Sequence, residues 1–245
     1  AYRGDLILQG LDEICRGLVA LAMLQIYALK TPHLAGWTPD QLLFVLGFSL
    51  TTVGLFHCFC GNLYSLSNTY IIQGNLDRVL LRPFPSFLQI CFDRLAIEDL
   101  TGVALGIAVM VTAALRLPEA HFGPGQILLL VFLLLSALAI IVAVFMGFAA
   151  TGFWFEDRVG MVPPVYNLME FGRWPTSIYH PVLRWFLTLV VPFAFVAFHP
   201  ASLFVGHGDV DPWQALATPL VAVVALAVST TLWRMGIRRY GSAGS

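Results

Sequence analysis

Long apolar runs separated by short polar or proline-bearing segments dominate this chain. A helix that crosses a bilayer needs about 20 mostly apolar residues. Windows of that length predict six spans, roughly 8–29, 41–64, 91–115, 126–152, 182–198 and 213–235. The fourth, ILLLVFLLLSALAIIVAVFMGFAA, is apolar throughout. The first carries Asp12, Glu13 and Arg16 in its early turns; those turns read as interfacial, with the span proper starting near Gly17. The fifth is short and contains Pro192, so a kink or a partial re-entry is expected there. Neither an internal repeat nor a low-complexity linker interrupts the pattern. Residues 1–245 are therefore expected to form one all-α membrane domain.

Arginine placement orients the spans. With the N-terminus inside, the inner segments hold Arg3, Arg16, Arg78, Arg82, Arg94, Arg158, Arg173, Arg184, Arg234, Arg238 and Arg239. Lys30 and Arg116 are left outside. The bias predicts both termini on the cytoplasmic side of the cell membrane. Two outer loops are short, KTPHLAGWTPDQ and RLPEAHFGPGQ, and the third, FHPASLFVGHGDVDPW, is half apolar. Its ASLFVG is too short to cross and is expected to dip into the membrane; DVD reads as a polar turn with Pro212 opening the last helix. Residues 154–185 form the longer inner segment, in which VYNLMEFGRW is expected to be an interfacial helix with Glu170 and Arg173 toward water.

Composition agrees with lipid as the solvent: 58% of residues are hydrophobic, 11% charged, and mean hydropathy is +0.82. Soluble domains run near a quarter charged, and a globule of this size could not hide so much apolar surface. Net charge is −1, which gives nucleic acid no electrostatic footprint. Lys30 is the single lysine and no Gly-Lys pair exists, so a phosphate-cradling G-x-x-x-x-G-K-[ST] loop is excluded. Cys58 and Cys60 in HCFC point about 200° apart on a helix and cannot share one metal ion; these thiols, with Cys15 and Cys91, read as buried and unpaired. The chain opens without methionine, so residues are expected to precede it, and no cleavable signal peptide is seen.

Neither H-E-x-x-H nor G-x-S-x-G is present, and the histidines (33, 57, 121, 180, 199, 207) are scattered. Ion-coupled carriers place ionisable residues inside their spans. Here Glu98 and Asp99 follow Asp93 and Arg94 at the start of the third span. They read as interfacial and partly paired; a coupling carboxylate is the alternative. GVALGIA (102–108) and MGFAATG (146–152) space small residues for close helix packing, within the subunit or across a dimer.

The stretch IIQGNLDRVLLRPFPSFLQ (71–89) crowds two arginines, an aspartate and two prolines between apolar walls. Asn75 is a candidate N-cap, Asp77 favours the positive end of the helix dipole, and Pro83 forbids continuation. The result is a helix of about two turns, 76–82. On a helical wheel Leu76, Val79 and Leu80 share one face. Asp77, Arg78 and Arg82 occupy the opposite arc, and Leu81 falls inside it. Such a helix either snorkels its arginines to lipid headgroups or plugs into another protein's groove.

Two patterns resemble the ABC transporter type-2 permease family, in its compact six-span branch. Gly74, Leu76, Asp77, Leu80, Arg82 and Pro83 match G-x-L-D-x-x-L-x-R-P. Glu170, Phe171, Trp174, Pro175, Pro192, Phe195, Pro200, Ala201 and Gly206 match a second set, E-F-x-x-[YW]-P followed by I-P-x-[AL]-F and P-A before a glycine; Val191 replaces the isoleucine. The resemblance covers nearly the whole chain. It implies a half-transporter: two permease subunits, identical or related, form the pathway, and two separate ATPase subunits bind ATP and Mg²⁺. The 71–89 loop then serves as a coupling helix, with Asn75, Asp77, Arg78, Leu80, Leu81, Arg82 and Pro83 as its contact and capping residues. The implied function is that of a non-catalytic transport subunit, expected to export. The rival readings are an ion-coupled carrier using Glu98 or Asp99, and a membrane enzyme or assembly factor using the histidine-bearing outer loop.

Overall fold

A computed structural model describes residues 10–11, 14–15, 17–26, 36–117, 122–155, 162–206 and 211–241. Asp12, Glu13 and Arg16 of the first expected span lie outside them, and so do Lys30, Arg158, His207 and Asp209. Within that span the apolar helix α1 runs from Gly17 to Ile26. All regular elements among the described residues are helical.

Helix α2 (Pro39–Cys60) starts at a capping box. The Thr38 hydroxyl accepts from the Gln41 N–H, the Gln41 side chain accepts from the Thr38 N–H, and Pro39 fills the first turn. It does not end near residue 64. A 3₁₀ turn (Gly61–Ser65) and a π segment (Leu66–Ile72) prolong it to a continuous 34 residues. At about 1.5 Å per residue the rod is about 50 Å long, roughly 20 Å more than a hydrocarbon core. Its far end carries the next segment. That segment is a short hairpin of α3 (Asn75–Leu80) and α4 (Ser86–Phe92). Residues 91–96, expected in the third span, belong to this hairpin and the turn after it. The span proper is α5 (Leu100–Arg116), entered through a 3₁₀ turn at Ile97–Asp99.

Helix α6 (Pro124–Ala150) matches the fourth expected span and runs on into a turn at Thr151–Phe153. Helices α7 (Val162–Met169), α8 (Pro181–Trp185), α9 (Phe198–Ser202) and α10 (Pro212–Leu216) are short. The last, α11 (Thr218–Arg239), is long again. Among the described residues, four helical runs are long and apolar enough to cross a membrane: Pro39–Ile72, Ile97–Arg116, Pro124–Phe153 and Thr218–Arg239. A fifth candidate is a bent pair, Pro181–Val190 and Phe193–Ser202, which meet at 73°.

Helix α2 is the axis of the bundle. Its most apolar window is 72% buried, against 33%, 33% and 22% for those of α5, α6 and α11. It packs on α5 and α6, and α6 packs on α11. In lipid the apolar effect gives neighbouring helices little reason to associate, so close packing must. The glycines supply it inside the subunit. A Cβ on Gly106 would lie 2.5 Å from Thr51 N, and one on Gly47 would lie 2.5 Å from Met110 N. Buried hydroxyls are satisfied along their own helices, Thr51 and Thr52 donating to the Gly47 and Phe48 carbonyls at 2.8 Å. The outward faces of α6 and α11 present Leu128, Phe132, Leu220, Val223 and Val228, all exposed.

The bent pair carries the break expected in the fifth span at Pro192. Arg184, Trp185, Thr188 and Leu189 of its first arm and Phe198 and His199 of its second line one cavity with Trp37. A straight helix would hold Arg184 and His199 about 22 Å apart. Both arms thus reach the end of the bundle where α2 begins. The break falls at Pro192, which has no N–H to continue the helix. Thr176 and Ser177 line the same cavity, so the described residues 162–185 do not stay at one end either. The chain leaves Phe153, which stacks edge-on with Trp233 at 5.4 Å, passes Tyr166 beside His57 and Tyr64, and arrives at Trp37. Glu170 and Arg173 pair with each other on this path, and the Arg173 side chain is only 13% exposed. It faces protein, not water, because its turn packs on Phe193–Phe195. Arg184, expected among the inner arginines, accordingly lies at the Trp37 end.

A candidate coupling surface

The hairpin after α2 is built by backbone chemistry. Gly74 adopts φ 73°, a left-handed conformation open to glycine, and so turns the chain from the end of α2 into α3. Gly74, not Asn75, occupies the N-cap position, and no side chain caps the helix. The Asn75 amide instead donates backward to the Thr69 carbonyl at 2.8 Å, tying the turn to the π segment. Asp77 lies in the first turn as expected, with Arg78 in the last. The helix ends at Leu80, two residues short of the expected 82. The Leu81 and Arg82 N–H groups still close turns onto Asp77 and Val79, and the chain then bends through Pro83 and Pro85.

Exposure sorts the three leucines. Leu76 is fully buried, Leu80 is 40% exposed and Leu81 86% exposed. The wheel places Leu80 on the buried face. The core lies on the Val79 side, because α4 folds back there, and Leu80 is left at the edge. Leu81 stands among exposed Arg78, Arg82 and Pro83. Phe84, 55% exposed, extends this apolar tip, and nothing in the spacing of the motif singles it out.

Side chains outside the motif hold the tip. The Gln89 amide donates to the Val79 carbonyl at 3.1 Å and to the Phe84 carbonyl at 2.5 Å, so one side chain clamps both sides of the turn. Asn62, in the prolonged α2, donates to the carbonyls of Ile90, Cys91 and Arg94 at 2.9, 3.3 and 3.1 Å. The Tyr70 hydroxyl donates to Asp93 at 2.8 Å. From the last span, the Trp233 indole donates to the Ser86 hydroxyl at 3.2 Å and meets Phe87 edge-on at 5.4 Å. The hairpin is therefore bonded to two long helices. Asn62 and Gln89 bond backbone carbonyls, which no sequence pattern displays; Trp233 could be read only as an interfacial aromatic.

Glu98 and Asp99 fall in the 3₁₀ turn that opens the Ile97–Arg116 run, at its very start. Glu98 faces Arg94 at 3.8 Å, the local pairing expected of interfacial carboxylates. Cys58, Cys60 and Cys91 are buried, Cys15 is exposed, and none is in a disulfide. No group of His, Cys, Asp and Glu among the described residues could hold a metal ion.

A helical bundle with an exposed, clamped tip beyond its long axis fits a membrane subunit that takes its drive from elsewhere. Comparison with family profiles agrees: the profile described as ABC-2 family transporter protein matches residues 16–244. The chain belongs to the ABC-2 transporter family. It is thus a multi-pass membrane protein and the permease component of an ABC transporter. Searches among curated proteins and among solved structures return no match. Family membership implies pairing with ABC ATPase subunits in general.

Proposed function

We propose that the chain is the half-transporter permease of an exporter: two such subunits form the pathway, and two ATPase subunits dock on the α3–α4 tips. ATP binding closes the ATPases and moves the tips. The hydrogen bonds of Asn62, Gln89 and Trp233 pass that motion to α2 and α11, shifting the pathway between inward and outward openings. Leu81 carries the reading. A leucine 86% exposed and ringed by Arg78 and Arg82 suits an apolar socket with an acidic rim. On this reading six crossings leave both termini inside, with Pro181–Ser202 as a re-entrant hairpin on the outer side. The crossings are α1, α2, α5, α6, the 162–177 passage and α11.

Purification from native membranes tests this reading. A P-loop ATPase is expected to copurify with the wild-type chain and to be lost with Leu81→Glu, while the variant still reaches the membrane. In reconstituted vesicles Leu81→Glu should abolish substrate-stimulated ATP hydrolysis. Unchanged stimulation, or transport driven by a proton gradient without ATP, would overturn it.

A further inference from the structure

The Trp37 end of the bundle holds a cationic cavity that the transport cycle above does not use. It measures about 320 Å³ and is lined by Thr176, Ser177, Arg184, Trp185 and Gln214, with His199 and Phe198 behind. Arg184 is fixed by one bond, its Nε donating to the Thr176 carbonyl at 3.0 Å. No described carboxylate pairs with it: the ion pairs among the described residues are Arg94–Glu98, Arg116–Asp40 and Arg173–Glu170. His199 is only 4% exposed, and its Nδ1 has no hydrogen-bond partner. Trp185, 67% exposed, sits beside Arg184 as tryptophan does at the level of headgroups.

A second cavity of about 620 Å³ adjoins the first, and Thr188 and Leu189 line both. Its walls are α6 from Ala143 to Thr151, α11 from Leu220 to Leu232, and Val190–Pro192. Gly147 keeps its floor open, the nearest atom to a Cβ there being Ser229 Cβ at 3.6 Å. Leu220 to Leu232 spans about 18 Å, slightly more than one leaflet's half of a hydrocarbon core of about 30 Å. The lining is almost wholly apolar, and Leu189, Val190, Leu220 and Val224 are exposed.

We propose that the two cavities form one binding site for an anionic phospholipid, its phosphate held by Arg184 with the hydroxyls of Thr176 and Ser177, and an acyl chain laid between α6 and α11. A guanidinium that no described carboxylate pairs, beside tryptophan, selects the charged head, and the apolar groove receives the tail. The site lies on the outward face of α6 and α11, away from α2, so the lipid braces the re-entrant hairpin against the bundle.

Native mass spectrometry of the detergent-purified chain, titrated with phosphatidylglycerol or phosphatidylcholine of equal chain length, tests it. Phosphatidylglycerol is expected to bind severalfold more tightly. Arg184→Gln should remove that preference, whereas Arg116→Gln, at the same end but paired with Asp40, should keep it. Val224→Trp, which fills the groove, should weaken both lipids; its melting temperature is read in parallel, and Arg184→Gln, at an exposed position, keeps the test open should the tryptophan variant not fold. Equal binding of the two lipids, or equal losses with Arg184→Gln and Arg116→Gln, would mean annular lipid alone and overturn the proposal. Displacement of phosphatidylglycerol by inorganic phosphate at millimolar concentration would reduce the site to a headgroup pocket and overturn the groove.

Discussion

Leu76 and Leu81 flank one short helix, and their surroundings are opposite. Leu76 is fully buried against the hairpin's core and Leu81 is 86% exposed. Leu76→Ala removes packed methyl groups and leaves a cavity, so it should lower stability by about 2–5 kcal/mol. Leu81→Glu meets no neighbour and should stay within about 0.5 kcal/mol of wild type. Thermal unfolding in detergent reads both, and an equal loss would refute the assigned exposures. Part of this contrast is legible in the sequence: the wheel puts Leu76 inside and Leu81 among charges. The places of Leu80 and Asn75 are not. The buried side of the helix depends on where α4 returns, and Asn75 is drawn to a carbonyl six positions earlier in the chain, which competes with capping.

At the scale of elements, the small-residue spacing in GVALGIA marks a close approach without naming the partner. The partner is α2. Gly106→Ala would bring a Cβ to 2.5 Å from Thr51 N and 2.9 Å from the Gly47 carbonyl, against backbone that cannot swing aside. The two helices must separate, and a loss of about 1–3 kcal/mol is expected. A Cβ on Gly125 would meet nothing within 4 Å, so Gly125→Ala should be close to neutral. Melting temperatures of the two variants in one detergent check the difference. These glycines are consumed within the subunit, so the same substitution should change stability before it changes oligomeric state.

At the scale of the whole molecule, the path of residues 154–206 decides the topology. In a Cys15→Ser background, Ser177→Cys and Gly123→Cys should react with a membrane-impermeant maleimide from the same side of sealed vesicles. Phe84→Cys should react only from the other. Labelling of Ser177→Cys from the Phe84 side would make the bent pair one broken span that crosses. Periodicity could not settle this, because an apolar run that enters and returns carries the same hydropathy as one that crosses. Pro192 marks the break but not the direction of the chain beyond it.

The sequence by itself determined the solvent, since so few charges in so long a chain leave only lipid, along with the long apolar helices, the charged stretch between them and the absence of a phosphate loop. All of these rest on local properties: hydropathy per turn, the missing N–H of proline, the residues available to bind a nucleotide. Tertiary structure alone decided that α2 is prolonged to 34 residues, that Gln89, Asn62 and Trp233 lock the hairpin, and that Arg184 stands at the Trp37 end. Each of those depends on groups far apart in the chain meeting in space, and on backbone carbonyls, which are alike in every residue and so leave no trace in the sequence.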